Sequence, residues 1–155
     1  MKGNDKVRAV LNELLADELT AISQYMVHSE MCDNWGYEKL HKAIEKQAVD
    51  EMHHAEWLIA RILFLDGTPT VSKLHPMKIG KDVQQMVAYD EEAELGAVHG
   101  YNAGLRVARE ASDEATAELL TRILKDEEAH LDWGEVQRTQ IEQMGLQLYL
   151  ANQSG

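Results

Sequence analysis

Two octapeptides carry the most reactive side chains of this sequence: Asp50-Glu51-Met52-His53-His54-Ala55-Glu56-Trp57 and Asp126-Glu127-Glu128-Ala129-His130-Leu131-Asp132-Trp133. Each contains Glu-x-x-His. Residues three apart on an α-helix are about 60° apart around its axis, so Glu51 and His54 share a side, as do Glu127 and His130. A lone glutamate stands 33 positions before each copy, Glu18 before Glu51 and Glu94 before Glu127. The offset of 76 positions between the copies also relates Glu18-Leu19 to Glu94-Leu95, Ala21 to Ala97, Ile22 to Val98, Tyr25 to Tyr101, Asp50 to Asp126 and Trp57 to Trp133. One helical hairpin has been duplicated with its polar residues. Four carboxylates and two imidazoles make a donor set whose four negative charges two divalent cations balance. Mixed oxygen and imidazole ligation suits iron, manganese or zinc and is poor for copper(I). A redox role favours iron.

A single Glu-x-x-His is weak evidence, since on an exposed helix face it is only a solvated pair. Here the glutamates fall inside apolar stripes, where a carboxylate is costly unless it is paired or binds a cation. A Glu from each of two helices with Glu-x-x-His from two others is a ligand pattern of dimetal carboxylate bundles. Asp50 and Asp126 neighbour these residues and could hydrogen-bond an imidazole on the paired helix. Solvation alone is the plainer account of both. Tyr25 and Tyr101 follow Glu18 and Glu94 by two turns. They are placed to hydrogen-bond ligand carboxylates, and Tyr25 could supply an electron. Core packing with a satisfied hydroxyl is an equally good account.

The elements that must position these groups are four long helices. The first is expected from about Lys6 to Asn34, capped by Asn4 or Asp5. Its stripe reads Val7, Leu11, Leu14, Leu15, Glu18, Ala21, Ile22, Tyr25, Ser29. Asn34-Trp35-Gly36 is a break, because Gly36 tolerates a positive φ. The second helix is expected from Tyr37 to Leu65, with Leu40, Ile44, Gln47, Glu51, His54, Ala55, Leu58, Ile62 and Leu65 inward. Between Asp66 and Gly80 the periodicity fails, and Gly67, Pro69, Pro76 and Gly80 mark a long crossover that joins the repeats. The third helix is expected from Lys81 to Glu110 with the stripe Val83, Val87, Glu91, Glu94, Val98, Tyr101, Leu105, Ala108. Gly96, Gly100 and Gly104 form a strip of small residues suited to close helix approach. The fourth runs from a cap at Ser112, or alternatively Asp113, to Met144, with Leu120, Ile123, Glu127, His130, Leu131 and Ile141 inward. The tail after Gly145 has room for one or two further turns. The fold class is therefore all-α: a four-helix bundle with a long crossover between helices two and three and a short C-terminal helix.

Composition fits one domain over residues 1–155. The net charge of −12, from 27 acidic and 15 basic residues, disfavours nucleic acid and anionic membrane as partners. The single Cys32 excludes an internal disulfide and suggests a reducing compartment. No apolar run approaches the roughly 18 residues of a membrane span. The N-terminal Met1-Lys2-Gly3-Asn4-Asp5-Lys6 lacks the apolar core of a signal peptide. A cytoplasmic location is the expectation.

Met52 sits about 100° from Glu51 around its helix and so faces away from the carboxylates. Val49 and Ile59 share that side, and Leu19 and Met26 offer a similar strip on the first helix. Spacing alone reads this as a subunit interface, with a thioether ligand as the lesser alternative.

Taken together, these residues resemble bacterioferritin, the haem-containing branch of the ferritins. The likeness covers essentially the whole chain: Met1-Lys2-Gly3, Glu18-Leu19 with Gln24-Tyr25, Asn34-Trp35-Gly36, Asp50-Glu51-Met52, Arg61-Ile62-Leu63-Phe64-Leu65, Asp126-Glu127-Glu128 with His130 and Asp132-Trp133, and Met144-Gly145-Leu146-Gln147. The second Glu-x-x-His is unlike typical non-haem ferritins. The resemblance implies a ferritin-like bundle, assembly into hollow shells of twenty-four subunits and storage of ferric mineral inside. It implies that Glu18, Glu51, His54, Glu94, Glu127 and His130 form a ferroxidase centre. There two Fe(II) ions per subunit are oxidised by dioxygen or hydrogen peroxide, with Glu51 and Glu127 bridging the pair. It implies haem b between two subunits, ligated by Met52 of each, and a small ferredoxin as electron donor for iron release. Lys46 is a departure, standing where some relatives have a histidine that helps pass iron inward. The competing expectation is a rubrerythrin-like di-iron peroxidase without a mineral store, although such proteins usually add a cysteine-rich module and this chain has one cysteine.

Overall fold

The computed structural model describes residues 1–155. The helices are α1 (Asp5–Asn34), α2 (Glu38–Phe64), α3 (Val83–Glu110), α4 (Glu114–Met144) and the short α5 (Leu146–Ala151), with no strand. This is the expected four-helix bundle with its crossover and C-terminal helix.

Local chemistry sets the helix ends. Asn4 Oδ1 accepts from the N–H groups of Lys6 and Val7, so Asn4 is the cap of α1. Gly36 takes φ +82° in the turn that follows. Tyr37 offers no capping side chain, and α2 starts one residue later than its periodicity suggests. Asp82 caps α3 by accepting from Gln85 N–H, which moves that start from Lys81 to Val83. Asp113, and not Ser112, caps α4 through Thr116 N–H. Ser112 instead holds the left-handed turn position at φ +55°.

Pairings across the bundle fix its directions. Gly3 N–H donates to Leu65 O, so α1 and α2 are antiparallel. Residues 18 and 25 of α1 meet residues 101 and 94 of α3, also antiparallel. Residues 50 and 54 of α2 meet 130 and 126 of α4 in the same sense. It follows that α2 and α3 run parallel, and the chain between them must travel the length of the bundle.

That crossover lies along α1, whose polar side chains satisfy its backbone. Asn12 donates to Thr68 O and accepts from Thr70 N–H. Thr20 Oγ1 accepts from His75 N–H, Gln24 Oε1 from Lys78 N–H, and His28 Nε2 from Gly80 N–H. The other ring nitrogen of His28 lies 2.8 Å from Asp90 Oδ1, to which Gln24 Nε2 also donates. A Cβ at Gly80 would stand 2.5 Å from Met86 N, so only glycine fits there.

Two apolar cores divide the interior. One gathers Val7, Leu11, Leu58, Ile62, Tyr101, Leu105, Leu120 and Ile123 among others. The second gathers Tyr25, Cys32, Leu40, Ile44, Met86, Val87, Ile141 and Tyr149. Each fully buried leucine or isoleucine contributes about 1.5–3 kcal/mol. Together they offset the cost of the buried polar groups between them.

Three expectations need correction. In the first half of α3 it is Asp90, not Glu91, that turns inward, because His28 and Gln24 of α1 pair with Asp90; Glu91 is only partly buried and pairs with Arg138. Leu131 is only partly buried. The glycine strip does not act as one unit: a Cβ at Gly104 would meet Leu14 and Leu120 at 3.2 Å, one at Gly100 would make ordinary contact with Leu14, and one at Gly96 would meet nothing within 4 Å.

Candidate metal centre

Each long helix delivers acid to one depth of the bundle. Glu18 comes from α1, Glu51 and His54 from α2, Glu94 from α3, Glu127 and His130 from α4, and all six are buried. Potential donor atoms of Glu18, Glu51, His54 and Glu127 lie within 4.8 Å of one another, and so do those of Glu51, Glu94, Glu127 and His130. Glu51 and Glu127 belong to both groups, which makes them the shared members of two adjoining cages.

The hydrogen bonds around the cages obey the duplication. His54 Nε2 lies 2.8 Å from Asp126 Oδ2, and His130 Nε2 lies 2.9 Å from Asp50 Oδ2. Each imidazole is thus held from behind by a carboxylate on the opposite helix, and its Nδ1 faces the cages. Tyr101 donates to Glu18 Oε1 at 2.5 Å, and Tyr25 donates to Glu94 Oε1. Tyr101 comes from the first apolar core and Tyr25 from the second. Trp57 packs against His54 with ring centroids 5.5 Å apart, and the Arg122 guanidinium covers its other part at 3.8 Å.

Inside this frame the remaining donor atoms have no partner: Glu18 Oε2, Glu51 Oε1, Glu94 Oε2, both Glu127 oxygens, and Nδ1 of His54 and His130. His54 Nδ1 is 2.8 Å from Glu127 Oε1, and His130 Nδ1 is 3.0 Å from Glu51 Oε1, but neither approach is aligned as a hydrogen bond. An unsatisfied buried polar group costs about 1–3 kcal/mol, more when charged. Such atoms, converging from four helices, fit a cation-binding function and have no structural use of their own.

Without cations, burial and the crowding of carboxylates favour protons on these groups. Burial lowers the His54 pKa, but contacts with Glu127, Glu18 and Asp126 outweigh it and push the group up to about 11. Burial opposes the proton on His130 too, yet Glu94 and Asp50 raise it to about 9. Burial raises Glu94 to about 8 despite His130, and burial with the neighbouring glutamates holds Glu51 well above the usual carboxylate range. Burial, reinforced by Glu94 and Glu18 respectively, keeps Tyr25 and Tyr101 protonated.

Met52 is elsewhere. It is 45% exposed on the side of α2 away from the cages, with Val49 exposed on the same helix and Met26 on α1. An accessible thioether on an apolar face suits a ligand shared with a second copy of the chain. Lys46 Nζ is 3.1 Å from Asp50 Oδ2, the same oxygen that supports His130. The duplicated halves therefore differ at this point.

The sequence did not reveal Asp17 and His75, which pair at 3.1 Å beside Glu18. His75 lies in the crossover, where no periodicity points to a partner. Nor did it reveal the packing of Trp57 on His54, for which the repeated Trp57 and Trp133 were the only signal.

The family description "Ferritin-like domain" matches residues 8–144. The chain is 42% identical to "Bacterial ferritin" of Synechocystis sp. over 99% of both chains. It is 42% identical to "Bacterioferritin" of Streptomyces coelicolor over 97% of this chain and 90% of that one. It is 38% identical to "Bacterioferritin" of Mycobacterium tuberculosis over 97% and 95%.

Proposed function

Because the chain belongs to the ferritin-like family, on its bacterioferritin side, we propose that it stores iron and oxidises Fe(II) at the six-residue centre. The observation that carries this reading is the sharing of Glu51 and Glu127 between two four-donor cages. Two Fe(II) ions enter as substrate. Glu18 and His54 serve one, Glu94 and His130 the other, and Glu51 and Glu127 bridge them. Each Fe(II) gives up one electron; dioxygen takes two electrons and two protons to become hydrogen peroxide. When hydrogen peroxide is the oxidant, two electrons and two protons convert it to two waters.

The side chains have distinct parts in this. Asp126 and Asp50 keep the proton on the Nε2 of His54 and His130, so that each Nδ1 presents its lone pair. Tyr101 and Tyr25 hold one oxygen of Glu18 and Glu94 and leave the other free. The hydrogen bond from Tyr25 to Glu94 supports a further role for Tyr25, as a one-electron donor to the oxidant. The two apolar cores exclude bulk water above and below.

The protein assembles as a homo-oligomeric shell of twenty-four subunits in the cytoplasm, and the ferric product is held inside. Met52 of two copies would ligate haem b at their interface, and haem would supply an electron path for iron release from a small ferredoxin. No helix is long and apolar enough to cross a membrane. Replacing Glu18 with alanine and following aerobic Fe(II) oxidation tests the centre: loss of the fast phase is expected, and an unchanged fast phase would reject the assignment.

A further inference from the structure

A cleft of about 250 Å³ opens between α1, α3 and the crossover and leads to the buried carboxylates. Asp17 and His75 stand at its outer part with side chains 43% and 34% exposed, and Asp17 Oδ1 is 3.1 Å from His75 Nε2. Glu18, Glu51 and Glu127 line its floor. Glu18 Oε2, Glu51 Oε1 and both Glu127 oxygens are unpartnered there, on residues no more than 2% exposed. The walls between are small: Ala21, Ala93, Gly96 and Ala97. The space over Gly96 is open, as the absence of any neighbour for a Cβ there shows.

We propose that Asp17 and His75 capture the divalent cation substrate at this mouth and hand it past Gly96 to Glu18. The inference rests on the centre assigned above. Three features carry it. The mouth pairs one carboxylate with one imidazole, the same donor classes as the centre itself. Glu13, whose carboxylate Lys73 neutralises in part, lies 4.0 Å from His75 Nε2 and keeps the rim acidic. Thr20 Oγ1 holds the His75 backbone N–H, so the ring is presented from an anchored segment and not from a loose loop. A cleft walled by low-dielectric side chains and rimmed mainly by acid, Asp17 and Glu13 against Lys73, raises the local concentration of cations.

The test uses the assembled, metal-free protein and Co(II) as probe, with binding followed by stopped-flow absorbance and total uptake by equilibrium titration. The variants are Asp17→Asn, His75→Ala and Gly96→Leu, with Glu56→Gln on α2 as the control for net charge. A Cβ at position 96 meets nothing within 4 Å and a leucine there replaces a helix-weakening glycine, so the backbone of that variant is not strained while its side chain narrows the cleft. The expected result is a binding rate about ten-fold lower in Asp17→Asn, in His75→Ala and in Gly96→Leu, unchanged uptake per chain, and an unaffected control. The Asp17→Asn deficit should shrink as salt is raised. Wild-type rates in all three variants would overturn the capture role while leaving the centre standing. Loss of total uptake in Asp17→Asn would overturn it too, by making Asp17 part of the centre. Failure of the unaltered protein to take up Co(II) would remove the centre and this inference together.

Discussion

Asp126 Oδ2 stands 2.8 Å from His54 Nε2 across the α2–α4 contact, and its counterpart Asp50 stands 2.9 Å from His130 Nε2. The duplication is thus preserved in three dimensions down to the groups behind the candidate ligands. The halves differ in that Lys46 competes for the Asp50 oxygen, whereas Arg122, 76 positions on, lies over the Trp57 ring. Removing a carboxylate that supports a metal-binding imidazole typically costs 10–100-fold in affinity. Asp126→Ala should therefore weaken Co(II) binding by about that factor, and Asp50→Ala by less, because Lys46 already shares its charge. Calorimetric titration of both variants checks the order; wild-type affinity in Asp126→Ala would contradict it.

The tyrosines make a second pair of crossed contacts, Tyr25 with Glu94 and Tyr101 with Glu18. Phenylalanine at either position leaves a buried carboxyl oxygen without its donor, a loss of about 1–3 kcal/mol. Urea unfolding of the metal-free variants measures it. The two should separate in redox behaviour. A tyrosyl radical seen after adding Fe(II) and oxidant should vanish in Tyr25→Phe and persist in Tyr101→Phe; the reverse pattern would reassign the electron donor.

Protonation couples to metal binding. With His54 at about 11, His130 at about 9 and Glu94 at about 8, all three bind protons at pH 7 in the metal-free protein. Cations must displace them. Co(II) affinity should keep rising between pH 7 and about 8.5, whereas ordinary glutamates and histidines would give a plateau above about 7. Stability of the metal-free fold moves the other way. Groups held above their unfolded pKa stabilise the fold at low pH, and that contribution is lost as pH rises through about 8 and then about 9. The Tm of metal-free protein should therefore fall from pH 7 to 9, and metal-loaded protein should fall less. A flat metal-free profile would contradict the proton-filled site.

Met52 gives a test independent of the centre. Protein isolated with haem should show a Soret band that is lost in Met52→Leu, while aerobic Fe(II) oxidation keeps its fast phase. A retained Soret band would place the haem ligand elsewhere.

The helices and the six inward groups were legible because they obey helical spacing and the repeat states the polar set twice; the crossover was legible because that spacing fails between Asp66 and Gly80. What it could not show lies where spacing carries no information. The mouth residue His75 sits on extended chain whose path is set by side chains of α1, such as Thr20 and Gln24. The inward turn of Asp90 in place of Glu91 depends on His28, reached across the bundle at 2.8 Å. Gly96 reads like Gly100 and Gly104 in a strip of glycines, but only the neighbouring helices decide which of them is packed. The choice of Asp113 over Ser112 as cap turned on a positive φ at Ser112 that periodicity does not encode.

The most direct measurement is the number of divalent ions bound per chain by the metal-free, haem-free protein. Anaerobic Fe(II) titration should saturate sharply at two ions per chain, and Glu127→Ala, which removes a member of both cages, should abolish the sharp break. Weak, unsaturable binding that is the same in both proteins would contradict a two-ion centre at these residues.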